Sequence, residues 1–171
     1  MAGHRPAEAV ENFLEPLRRA VFRFTKTVIR VSPGYDPKGN PHALWLGTAA
    51  PVPIGRDRRF QILLSQQYAI IRFEGRRGPW KVRTLAYNYS LYEGERAILG
   101  YHWHPSDRVP YPHAHIYCTE LRRHHLPTGR VSVEQVLRMT ATEFGVDPLS
   151  RDWEAVLAET QAAFETWQTW R

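Results

Sequence analysis

Cysteine is almost missing from this chain: Cys118 is the only one in 171 residues. That excludes an internal disulfide framework and fits a reducing cytoplasm. Long apolar runs are missing too, so no span reaches transmembrane length and no membrane partner is expected. The start, Met1 to Pro6, leads into a stretch with Glu8, Glu11 and Glu15 and no apolar core, which is unlike a signal peptide. Internal repeats and low-complexity tracts are likewise absent. Lysine is scarce, with 3 against 20 arginines. Planar guanidinium favours bidentate phosphate contact over the point charge of an ammonium.

What is present is a basic, apolar-rich, aromatic-rich chain. Its net charge is +6 and 43% of its residues are hydrophobic, a composition that points to one globular domain over residues 1–171 with a core of its own. The charge is uneven. Residues 143–171 hold six acids against Arg151 and Arg171, about −4, which leaves about +10 for the rest. The arginines gather at Arg56, Arg58 and Arg59, at Arg76, Arg77 and Arg83 with Lys81, and at Arg122, Arg123 and Arg130. The acidic end could mask the basic face in a homodimer.

Residues 6–22 read as a helix, with Val10, Phe13, Leu14, Leu17 and Val21 at helical spacing, and Pro16 predicts a kink or a break. Phe24–Val31 and Ala43–Gly47 read as strands, with a loop over 32–42 and an irregular link at Pro51–Gly55. Two apolar runs of strand length follow, Phe60–Leu64 and Tyr68–Phe73. The clearest hairpin joins Thr84–Tyr92 to Ala97–His104, with Leu85, Tyr87, Tyr89 and Leu91 sharing one face. On its second strand Leu99, Tyr101 and Trp103 face one way; Ile98, Gly100, His102 and His104 face the other. His113–Cys118 reads as a further strand. The end of the chain, 132–170, is helical: Ser132 and Gln135 make a capping box, Val133, Val136, Leu137 and Thr140 a buried stripe, and Gly145 a stop. A last helix from about Arg151 carries Trp153, Val156, Leu157, Thr160 and Trp167 as packing residues. These elements predict a single α+β domain with an N-terminal helix, a central antiparallel sheet of five to seven strands and two C-terminal helices packed on one face.

Six of the eight histidines fall between positions 102 and 125, and the His-rich core of the sequence is 100–118. His102 and His104 share one strand face, as do His113 and His115, and the proline-rich turn between the pairs can bring the two strands together. Four imidazoles on one patch have three readings. In the first, His113 and His115 act as acid and base on RNA, assisted by His102 and His104, while Arg122, Arg123 and Arg108 hold phosphate. In the second, the histidines are structural parts of a module that binds nucleic acid or protein. In the third, they hold a divalent metal, with Asp107 or Glu120 completing the ligand set, although spacing alone assigns no metal ligand. His4 and His42 carry no signal, and His124 and His125 read as basic surface.

Pro112 to Tyr117 superficially resembles the His-x-His-x-His of histidine-triad nucleotide hydrolases, but the third position is Tyr117. Gly100 to Pro105 is similar to the His-x-His-Pro of zinc-dependent isopeptidases, but the later Ser and Asp of that pattern fall on Pro112 and His115. A broader likeness covers roughly residues 84–144: the Tyr87/Tyr89 strand, the strand through Tyr101, His113-Ala114-His115-Ile116 with Glu120, and the Val136-Leu137 helix. In these the chain resembles the TumE-type toxins of bacterial toxin-antitoxin systems. The resemblance implies a small cytoplasmic α+β protein paired with a cognate antitoxin, acting as a ribonuclease-like toxin with His113 and His115 as its functional residues.

Overall fold

The computed structural model describes residues 2–37, 40–73, 78–105, 108–117 and 123–167. Among the described residues nine strands form one antiparallel sheet, and three helices pack on one of its faces. In chain order the elements are β1 (Ala2–Gly3), α1 (Pro6–Phe22), β2 (Ile29–Val31), β3 (His42–Leu46), β4 (Val52–Ile54), β5 (Phe60–Arg72), β6 (Trp80–Glu93), β7 (Arg96–Trp103), β8 (His113–Ile116), β9 (Leu126–Pro127), α2 (Val133–Thr142) and α3 (Trp153–Trp167). Neighbours across the sheet run β2-β3-β5-β6-β7-β8-β9, with β1 added to β6 and β4 to β5. The expected α+β architecture holds; the strand count exceeds the five to seven expected because β1, β4 and β9 are two- and three-residue pieces without a pattern of their own.

The departures from the sequence reading each have a local cause. Pro16 is buried inside one uninterrupted α1. Only Ile29–Val31 of the expected Phe24–Val31 strand is extended, because Phe24 ends the turn after α1, its carbonyl accepting from Gly55 N–H and its ring meeting Trp153 edge-on. The proline-containing link at Pro51–Gly55 contributes β4, an edge piece where Pro53 needs no donor. The two runs after it are one thirteen-residue strand, β5. Its polar middle fits because Gln66, buried, donates to the Tyr89 hydroxyl across the strands.

A bulge between β5 and β6 sets which residues meet the helices. Gln67 lies opposite Ala86 but Tyr68 opposite Thr84, which leaves Leu85 over. The inward face of β6 therefore passes from the odd positions Leu91, Tyr89 and Tyr87 to the even positions Thr84 and Val82, and Leu85 is only half-buried. Beyond the bulge the hairpin reads as expected: Tyr87 pairs with Trp103, Tyr89 with Tyr101 and Leu91 with Leu99. This face packs on the helices, with the Tyr101 hydroxyl 3.5 Å from Met139 Sδ and the Phe13 ring against Tyr68. The opposite face carries the histidines.

The C-terminal helices follow their pattern. Ser132 accepts from Gln135 N–H, and the Gln135 side chain accepts from Ser132 N–H, closing the capping box. Three acids of the last third pair within the chain: Glu159 takes Arg19 Nη1 and Nη2 at 2.9 and 2.6 Å, Asp152 pairs with Arg23 and Asp147 with Arg56. These pairs join the C-terminal part to α1, to its C-cap Arg23 and to the β4–β5 link.

Candidate metal centre on the outer face of the sheet

The site rises from the register of three neighbouring strands. His102 of β7 lies directly opposite His113 of β8, and His115 lies opposite Gly100. Period-two alternation puts all three imidazoles on the outer face. One ring nitrogen from each of His102, His113 and His115 falls within 4.8 Å of the others. Ring centroids are 5.7 Å apart for His102 and His113, 4.9 Å for His102 and His115, and 5.0 Å for His113 and His115.

Two more imidazoles join them. His104 sits 5.9 Å from His102. His125, just before β9, closes over the triad at 4.8 Å from His113 and 4.5 Å from His115. The sequence places His125 on the surface with His124, and it is exposed; the two-residue pairing of β9 with β8 also sets its ring against His113 and His115, and only a strand assignment for Leu126-Pro127 would have disclosed this. His124 is exposed. His42 is a structural histidine, stacked on Tyr68 with Nε2 3.1 Å from the Asp36 carbonyl.

The surroundings orient the rings. The Tyr111 carbonyl, an acceptor only, is 3.0 Å from His113 Nδ1, so Nδ1 carries the proton and Nε2 is the basic nitrogen. Ser90 Oγ donates to Asn88 Oδ1 at 3.0 Å and stands 3.4 Å from His102 Nε2, backing that ring from β6. Tyr117 stacks on His115 at 5.5 Å, while Tyr111 meets His113 edge-on at 6.2 Å. The room for His102 comes from Gly100, where a Cβ would lie 2.8 Å from His102 Nε2.

Burial, reinforced by the neighbouring histidines, His115 first, holds the His102 imidazole down at a pKa of about 4. His113 is 4% exposed, yet the cluster opens to solvent through a cavity of about 610 Å³ lined by His102, His104, Arg108, Val109, His113, His115 and His125. Among the described residues no carboxylate lines it. Imidazoles without a carboxylate form a donor set suited to zinc, copper, nickel or iron rather than magnesium or calcium.

Of the arginines expected to hold phosphate, Arg108 lines the cavity, Arg123 is exposed outside it, and Arg122 lies outside the described residues. Asp107, Cys118 and Glu120 also lie outside them. Arg130 is engaged elsewhere, its guanidinium 3.6 Å over the Trp103 ring. No helix among the described residues is long and apolar enough to cross a membrane. The chain matches no family model, no curated protein and no solved structure.

Proposed function

We propose that the chain is a metal-dependent hydrolase of phosphodiester bonds, with RNA as substrate and His102, His113 and His115 as ligands of the ion. The observation that carries this reading is the convergence of three imidazole nitrogens within 4.8 Å in an open, basic cavity. The alternative of metal-free catalysis needs one imidazole protonated to serve as general acid. Burial and the surrounding rings disfavour a positive charge on His102, and a neutral ring is the form that binds a cation. Hydrogen bonds behind a ring serve a structural histidine equally, as the Asp36 carbonyl serves His42; the convergence of three ring nitrogens is what favours an ion.

A bound divalent ion supplies Lewis-acid polarisation of a phosphoryl oxygen and acidifies water. The chain's own groups do the rest. Arg108 at the rim attracts and holds the phosphate. His104 and His125, outside the triad, are within reach to take and return protons. Hydrolysis then joins a water oxygen to phosphorus, breaks one ester P–O bond and delivers a proton to the leaving oxygen. A cytoplasmic setting accords with the lone cysteine. The antitoxin and homodimer implied earlier enter no step.

The test is RNA integrity after incubation with purified chain, as isolated, after EDTA, and after EDTA with zinc restored. Cleavage lost with EDTA, regained with zinc and lost in His113→Ala/His115→Ala supports the reading. Cleavage that persists in EDTA returns the chemistry to the imidazoles alone, and intact RNA throughout, in a chain shown to bind zinc, removes RNA as substrate.

A further inference from the structure

The outer face of the sheet carries more than the histidines. Its cross-strand register aligns one residue from each successive strand: Arg30 of β2, Trp45 of β3, Ser65 of β5, Asn88 of β6, His102 of β7 and His113 of β8. At roughly 4.8 Å per strand this row is about 24 Å long, with Trp45 about 14 Å from His102. A second cavity, of about 230 Å³, lies over the Trp45 end of the row and includes Ser65, Gln67, Asn88 and His104 in its lining. His104 lines the first cavity as well, so the two adjoin there.

The chemistry of this groove is specific. Trp45, half-buried, presents an aromatic surface in a region where the neighbouring outward residues are small or carry amides: Ala43, Ser65, Ala86, Gln67 and Asn88. Arg30 is exposed at one end and Arg108 at the other. An aromatic platform between two cations, with side-chain amides that both donate and accept, is the donor set that unpaired nucleobases and their flanking phosphates satisfy. A duplex hides its base faces in its own stack. The helices occupy the other face of the sheet, so nothing described covers the groove.

We propose that this groove is the substrate subsite for single-stranded RNA, the strand crossing the sheet with one base stacked on Trp45 and a phosphate delivered to the histidines. The substrate direction rests on the hydrolase reading above, but the binding claim is testable without turnover. Asn88 and Gln67 meet the base edge, and Arg30 holds the phosphate beyond it.

The experiment is fluorescence anisotropy in EDTA with the intact chain and a short labelled single-stranded RNA of mixed sequence. The same RNA carrying abasic residues and its duplex serve as further probes, and gels of the recovered RNA report any cleavage. Trp45→Ala is expected to weaken single-strand binding about 5- to 150-fold and Trp45→Phe to retain most of it. Abasic RNA and duplex are expected to lose that dependence. Arg30→Ala is expected to weaken binding and lower the salt slope by about 1. A thermal melt of Trp45→Ala separates a lost subsite from a lost fold. Trp45→Ala binding single strands within twofold of the parent, equal losses on abasic RNA, or no RNA binding at all would overturn the subsite. Trp45-dependent binding in a chain that takes up no zinc would keep the subsite and discard the hydrolase.

Discussion

Replacing Gly100 with alanine tests the metal centre without touching a ligand. Gly100 sits on β7 two residues before His102, opposite Ser90 and His115. An added Cβ would lie 2.8 Å from His102 Nε2, 3.1 Å from Ser90 Oγ and 3.2 Å from Tyr117 Cε2. Ordinary contact begins near 3.4 Å, so the imidazole must retreat by about 0.6 Å. Metal–ligand distances tolerate about 0.2 Å. The backbone here is outside the left-handed region, so alanine suits the strand and recovers about 0.5–1 kcal/mol of chain entropy. Overpacking costs about 1–3 kcal/mol. Folding stability should therefore fall by no more than about 2.5 kcal/mol, while zinc affinity falls about 10- to 100-fold. Calorimetric zinc titration of chelator-treated protein, with thermal melts beside it, reads both quantities. Zinc affinity within twofold of the parent would refute His102 as a ligand, however the fold responds.

Other perturbations bear on stability. Because His102 is held at about pKa 4 in the fold, the unfolded chain binds more protons between the ordinary histidine value and pH 4. Stability is therefore intact above about pH 6.5 and declines through that window, by on the order of 1–2 kcal/mol for this half-buried ring after solvent screening. Melting temperatures of metal-free protein against pH should show this slope, and His102→Asn should flatten it. Glu134, 1% exposed beneath α3, has its carboxyl pushed up chiefly by burial. The folded chain then holds a proton that the unfolded chain releases, and stability drops as pH rises past the ordinary carboxylate range. Glu134→Gln should gain stability relative to the parent at pH 8 and not at pH 4, read from denaturant midpoints. Ser132→Ala removes the hydroxyl that caps α2 and should cost about 1 kcal/mol in the same assay; no change would mean that packing of Val133 and Leu137 alone fixes the helix start.

The sequence showed the helices and the hairpin because each repeats its period over enough residues. Phe13, Leu14 and Leu17, or Tyr87 and Tyr89 against Tyr101 and Trp103, state their faces without outside help. The short strands had no such period: Val52–Ile54 reads as a proline link until β5 is there to pair it. The single β5 was split by Ser65-Gln66-Gln67, since burying Gln66 makes sense only with the Tyr89 hydroxyl in place. The histidine face was legible from alternation alone. The crossing of His102 with His113 depended on pairing register, and His125 entered through two residues of β9, neither of which a linear pattern encodes.

All five clustered histidines lie within 102–125, one run of consecutive strands, while the helices that finish the core come from both ends of the chain. A cation attracted to this run meets most of its ligands before the domain is complete. An ion that binds the unfolded chain adds correspondingly less to the folding equilibrium. Stripping it should silence the centre and leave the domain standing, unlike a zinc finger, whose fold is its metal site. The meander is thus separable in principle, and a peptide spanning β7 to β9 should retain measurable zinc affinity apart from the core that presents it.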